Sequence, residues 1–246
     1  MAWLSIYRRW QGKADMPGSK NARPLLLFDH VPKAGGTAVS GALQALLPPG
    51  TVTPHLNPYT ESFRRSSINK KQHIIGHFGK TCRHLVEDFN TRLTATLLRD
   101  PVSLVVSTYT FWRYSVDRNF GPHVAAAHDL SFSDFIRHSG HEVFNLNPQS
   151  VFFGSPQKGN PGDVAAELLA PYRIVGTTDR MPEFLAAILS EIAPSRLDEI
   201  KATLARVEDN RSRGQTPVSD HDAAYINARQ AYDRALYDLA CQRANN

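Results

Sequence analysis

Pro24-Leu25-Leu26-Leu27-Phe28-Asp29-His30-Val31-Pro32-Lys33-Ala34-Gly35-Gly36-Thr37-Ala38-Val39 carries the reading that decides the fold. Pro24 to Phe28 is a short continuous apolar run, the mark of a strand buried on both faces. The glycine pair follows, and then Thr37 to Leu47 places Val39, Leu43, Leu46 and Leu47 at helical spacing until Pro48-Pro49-Gly50 stops the helix. Strand, glycine loop and helix in that order outline a phosphate cradle. Glycines let the backbone approach an anion, the first-turn N–H groups point at it, and the helix dipole favours negative charge there. Lys33 adds a cation and Thr37 a hydroxyl. An ordinary strand-to-helix turn with a surface lysine is the bland alternative, and this stretch alone leaves it open. A Walker A loop has its lysine after the last glycine and directly before Ser or Thr. Here Lys33 precedes the glycines, which points away from an ATP- or GTP-hydrolysing loop.

Outward from this stretch, strands are expected at His73 to Gly76, Leu93 to Leu98 and Arg173 to Thr177. Helices are expected near Arg83 to Phe89, after Pro101 with Val102, Val105, Val106 and Tyr109 on one face, around Phe132 to His138, and over Phe184 to Ile192. A last one carries Tyr225, Tyr232, Leu236 and Leu239 inward. Residues 51–72 read as polar and irregular, with a basic cluster at Arg64, Arg65, Lys70 and Lys71. Strands alternating with helices give an α/β fold, a parallel sheet covered on both faces. Residues 1–23 read as an N-terminal arm and 24–246 as a single domain.

The chain has 246 residues, 41% of them hydrophobic, enough for a sizeable core and against global disorder. A formal net charge of +5 and a pI near 9.3 suit an anionic ligand, and equally a loose nucleic-acid or peripheral membrane-surface contact, without demanding any of them. Two distant cysteines, Cys82 and Cys241, make no disulfide framework. No apolar run approaches the ~20 residues that span a bilayer, and the start lacks a secretory h-region. A cytoplasmic enzyme is the default expectation. The aromatic group Tyr109, Phe111, Trp112 and Tyr114 reads as core and cleft wall rather than a stacking strip, so no nucleic-acid partner is expected.

A second anion motif follows the strand at 93–98: Leu98-Arg99-Asp100-Pro101-Val102, then Ser107, Tyr109 and Phe111. Arginine offers a permanently charged planar fork for phosphate, and a serine on the adjoining helix a further donor. Together the two motifs resemble the PAPS-dependent sulfotransferases of the carbohydrate type, the group of the heparan sulfate 2-O-sulfotransferases and bacterial relatives. Phe28 to Thr37 looks like that family's 5′-phosphosulfate loop, and Arg99 with Ser107 like its 3′-phosphate motif. Weaker echoes are Asn147-Pro148-Gln149-Ser150, Val175-Gly176-Thr177-Thr178 and the closing helix. Position 104 is Leu where relatives often carry arginine, and the loop Arg211 to Gly214 is only generically basic.

The resemblance implies a P-loop-like three-layer sandwich and transfer of a sulfuryl group from PAPS to a hydroxyl or amine, releasing PAP. The acceptor class it suggests is a saccharide, glycoconjugate or small metabolite. Lys33 would stabilise the leaving oxygen, and Lys33, Ala34, Gly35, Gly36, Thr37 and Ala38 would hold the 5′ end. Arg99 and Ser107 would hold the 3′-phosphate, and no metal is expected. His77, in Ile74-Ile75-Gly76-His77-Phe78-Gly79, is the candidate general base, because imidazole suits that work near neutral pH. His73 and His77 have a spacing that ligates metal on a helix, but no helix is expected there and no third ligand is evident. His30 is expected to pack and orient its loop. Two other readings stand beside this one: a P-loop-type kinase or nucleotide hydrolase, with Asp100 as the magnesium ligand, and a non-catalytic module that binds sulfated or phosphorylated ligands.

Overall fold

In the computed structural model, residues 24–58, 72–86, 88–138, 147–206 and 216–245 are described. The expected N-terminal arm, the basic cluster at 64–71 and the loop at 211–214 lie outside them. In chain order the strands and helices are β1 (Leu26–Asp29), α1 (Gly36–Leu46), β2 (Ile74–Gly76), α2 (Gly79–Cys82), β3 (Leu93–Leu98) and α3 (Pro101–Ser115). Then come α4 (Pro122–Asp129), α5 (Phe132–Arg137), α6 (Pro148–Phe152), α7 (Pro161–Leu169), β4 (Ile174–Thr177), α8 (Met181–Ile192), α9 (Ile200–Leu204), α10 (Asp220–Arg229) and α11 (Ala231–Asn245).

The four strands form one all-parallel sheet in the order β2-β1-β3-β4. Leu27 is registered between Ile74 and Thr94, and Leu98 opposite Thr177. Successive side chains of a strand point to opposite faces. Leu26, Phe28, Leu93, Ala95 and Leu97 pack on one face with Val39, Leu43 and Leu46 of α1 and Phe184, Leu185 and Ile188 of α8. On the other face, Leu98 and Val175 pack with Leu168 and Leu169 of α7 and Leu236 and Ala240 of α11, while Leu27 and Ile74 pack with Phe78 and Cys82. Both faces are covered, so the strands are buried throughout, as the run at 24–28 predicts, with Asp29, Thr94, Thr96 and Thr177 as their buried polar members. A satellite cluster joins α3, α4, α5 and α10 through Tyr109, Ala127, Phe135 and Ile226.

Three local expectations change. The segment expected to be irregular after residue 50 runs alongside β2, with parallel bridges Val52 to His73 and Leu56 to Gly76. The helix expected at 83–89 is instead the single turn α2 followed by short 3-10 turns at Arg83–Leu85 and Phe89–Thr91. The carboxylate of Asp29 starts it early by accepting the N–H groups of Phe78 and Gly79. The closing helix is broken into α10 and α11 at Gln230, where Asn147 Oδ1 accepts from the N–H groups of Tyr232 and Asp233 and caps the second piece. Cys82 and Cys241 are free thiols. No helix among the described residues is long and apolar enough to cross a membrane.

Candidate functional site

From β1 the chain passes to β2 on one side, and from β3 to β4 on the other. The strand order therefore reverses between β1 and β3, and open α/β sheets bind ligands in the crevice at such a switch point. The loop after β1 carries Lys33 and the glycines. The residue after β3 is Arg99. The two motifs, distant in sequence, meet here: Arg99 Nη1 donates to the carbonyl oxygen of Lys33 at 3.0 Å.

The turn itself is tightly built. Lys33 and Gly35 both adopt left-handed backbone, with φ of 66° and 75°. For a lysine this is an uncommon conformation, costing of order 1 kcal/mol. Ala34 N–H donates to Val31 O, Gly36 N–H to His30 Nε2 at 2.9 Å, and Ala38 N–H to Gly35 O. Three of the expected anion donors are thereby committed to the loop. The alternate N–H groups, those of Lys33, Gly35 and Thr37, take no acceptor among the described residues. They stand at the start of α1, whose first turn holds no acidic residue. Gly36 has no room for a side chain, because a Cβ there would lie 2.0 Å from the His30 ring.

The Lys33 ammonium lies 3.8 Å from the centroid of the Phe111 ring, a cation–π contact. Burial, and secondarily the charge of Arg99, lower its pKa to about 8. A desolvated lysine beside an arginine is an arrangement that an anion would relieve. Arg99 is set from behind by Gln149, whose carboxamide accepts from Arg99 N–H and donates to Arg99 O. Gln149 is held in turn by Asp233, which accepts the N–H groups of Gln149 and Ser150. Ser107 stands half-buried on α3, about two turns on, and makes none of the bonds that join Arg99 to the loop. The aromatic group divides: Tyr109 is core, whereas Phe111 is exposed and lies beneath the Lys33 ammonium.

His77 follows β2 and comes beside His30, which follows β1; their rings stack at 4.5 Å. A third histidine, His55, which sequence reasoning missed, arrives on the strip paired to β2. Its ring meets His77 edge-on at 4.4 Å. Hydrogen-bond logic assigns the tautomers. Gly36 N–H can only donate, so His30 Nε2 accepts, and Nδ1 of this neutral ring carries the proton. Nδ1 then donates to His55 Nε2 at 2.9 Å. His77 Nδ1 faces the His30 carbonyl oxygen at 2.5 Å and so carries its proton, leaving the Nε2 lone pair available. Burial lowers the pKa of all three rings, that of His55 to about 4, and keeps them neutral near pH 7.

Behind His77, Asp29 is fully buried. Tyr172 donates to its Oδ2 at 2.5 Å, and Arg83 Nη2 donates to the Tyr172 hydroxyl at 2.6 Å. Burial raises the Asp29 pKa, while Tyr172 and the two backbone N–H groups act against that rise. This carboxylate fixes the turn after His77. His73 lies at the other end of β2, its Nδ1 accepting from Leu26 N–H, and forms no pair with His77. Asp100 caps α3 through Ser103 N–H and accepts from Arg234 Nη2 at 2.9 Å.

Compared with known proteins, the chain matches no family model and no curated protein.

Proposed function

We propose that the chain is a PAPS-dependent sulfotransferase with a P-loop-like nucleotide site at the β1–β3 switch point. The observation that carries this reading is the Arg99–Lys33 bond, which joins the two anion motifs at one crevice. The N–H groups of Gly35 and Thr37 and the Lys33 ammonium would take the 5′-phosphosulfate end. Ser107, on α3, would take part of the 3′-phosphate with Arg99.

In the transfer, the acceptor oxygen attacks sulfur in line. The S–O bond to the 5′-phosphate breaks, and PAP leaves with the electron pair. The acceptor proton passes to His77 Nε2, the lone pair that its bond to His30 O leaves exposed. Lys33 stabilises the charge gained by the leaving oxygen. Saccharide or small-metabolite hydroxyls are the acceptor class this reading carries over from the resemblance.

A magnesium-dependent kinase or hydrolase is less well supported, because Asp100, its metal ligand, is engaged as a helix cap and ion-paired to Arg234. Calorimetric titration of the chain with PAP, and separately with magnesium–ATP and magnesium–GTP, tests the reading. Tight PAP binding without magnesium, lost in Arg99→Ala, is the expected result. Preference for a magnesium–nucleoside triphosphate would overturn it.

A further inference from the structure

Three imidazoles from three separate segments meet at the edge of the sheet. His30 follows β1, His55 lies on the strip bridged to β2, and His77 follows β2. One ring nitrogen of each lies within 4.8 Å of one from each of the others. We infer that His30, His55 and His77 form a binding site for one divalent cation of imidazole preference, with zinc as its type.

The chemistry of the set selects the cation. Three neutral nitrogens and no carboxylate suit zinc, copper or nickel, and do not suit magnesium or calcium, which want oxygen. Three protein ligands with one ring exposed to solvent leave a fourth position open, as in zinc sites that keep a water. His77 is already oriented for the task. Its Nδ1–H is held by a backbone carbonyl, which is how ligating histidines are aimed by their surroundings.

Spacing calls for an adjustment: the closest pair must open, and the other two pairs, which lie within 4.8 Å, must come to the same separation. Two nitrogens on one tetrahedral zinc, each about 2.05 Å from it, are about 3.3 Å apart. His30 Nδ1 and His55 Nε2 are 2.9 Å apart, with a proton between them. The pair must open by about 0.4 Å, and His55, the one exposed member of the three, is the ring that can yield. The proton on His30 Nδ1 moves to Nε2 of the same ring, so the bound site releases none. His30 Nε2 then no longer accepts from Gly36 N–H, and two N–H groups face each other across that contact.

Occupation of the site is thereby coupled to the loop after β1. The cation disfavours the present loop, and any ligand that holds the loop as it stands disfavours the cation by the same factor. The cation also takes the His77 Nε2 lone pair, which would shut off proton abstraction. That last consequence rests on the sulfuryl-transfer reading, whereas the site itself does not.

The test is titration of the metal-free full chain with zinc by calorimetry, without nucleotide, and with cobalt followed by its visible absorption. One zinc per chain is expected, with cobalt bands of tetrahedral intensity. His55→Ala and His55→Gln should lose the cobalt bands and weaken zinc at least ~100-fold, since even partners outside the ligand set are worth 10–100-fold. Without metal, His55→Gln, whose carboxamide oxygen can accept from His30 Nδ1–H, should melt closer to wild type than His55→Ala. No saturable binding, unchanged affinity in both variants, or equal binding of magnesium would overturn the site. A PAP titration with and without zinc separates the two claims. Zinc binding without any PAP binding sinks the nucleotide reading alone, and PAP binding without zinc binding sinks the cation site alone.

Discussion

The carboxamide of Gln149 pairs with the main chain of Arg99 through two hydrogen bonds, 2.9 Å from Arg99 N–H and 2.8 Å to Arg99 O. A side chain thus stands where a neighbouring strand would be, at the point where the chain leaves β3 for the crevice. Gln149 is fully buried, and its loss removes both of these bonds from the Arg99 main chain. Gln149→Leu is expected to cost about 1–3 kcal/mol of stability. It is also expected to weaken PAP binding about 10-fold by loosening Arg99. Denaturant unfolding and calorimetry measure the two, and full PAP affinity in a destabilised variant would show that Gln149 serves the fold alone.

Gly36 and His30 share one space. Gly36→Ala puts a methyl 2.0 Å from the ring, and overpacking of this kind costs about 1–3 kcal/mol. The double variant His30→Ala/Gly36→Ala removes the clash. Its melting temperature should exceed that expected from adding the two single effects, a positive coupling read from a double-mutant cycle.

On the proposed reading, Lys33 should make anion binding depend on pH. Its folded pKa, about 8, is below its ordinary 10.5. The ammonium is therefore present below about pH 8 and lost above it. PAP affinity should be flat up to that point and then fall by up to about 10-fold per pH unit. Stability of the free chain should move the other way. The unfolded chain binds the proton more tightly between pH 8 and 10.5, so stability rises with pH across that window. Calorimetry and thermal melts over pH 7–10 check both trends, and Lys33→Met should abolish both.

His77→Ala should leave PAP affinity within about threefold of wild type and slow sulfuryl transfer by ~100-fold or more, the ordinary contribution of a general base. Single-turnover measurement with a chosen saccharide acceptor reads the chemical step. Unchanged turnover would remove His77 from the mechanism.

Much of this site is legible in the sequence, and the residues that are not share a physical cause. β1, the loop at 30–36 and α1 follow from local signals: an apolar run, glycines where backbone must turn, a 3.6-residue period. Arg99 and His77 are legible as candidates because each directly follows the carboxyl end of a strand, where open α/β sheets take ligands. His55 is not, because the strip at 52–56 has no periodicity of its own and is ordered by bridges to His73 and Gly76. The role of His30 as an acceptor for Gly36 depends on a turn geometry that composition does not show. The break at Gln230 is hidden because the cap that ends one helix and starts the next, Asn147, comes from far away in the chain. The roles of Gln149, quoted above only within an echo of the family, and of Asp233 escape for the same reason: their partners are set by the folded topology.

The exchange of caps between residues 147–150 and 231–233 has a consequence for biosynthesis. Asn147 starts α11, and Asp233, on α11, starts α6 and thereby sets Gln149 against Arg99. Domains form as the chain leaves the ribosome from its N-terminal side. β1, β2 and β3 can pair early, but Arg99 acquires its backing only when Asp233 has emerged. The nascent chain therefore holds its sheet before Arg99 is backed, and on the proposed reading a product cut short before residue 231 should fail to bind PAP.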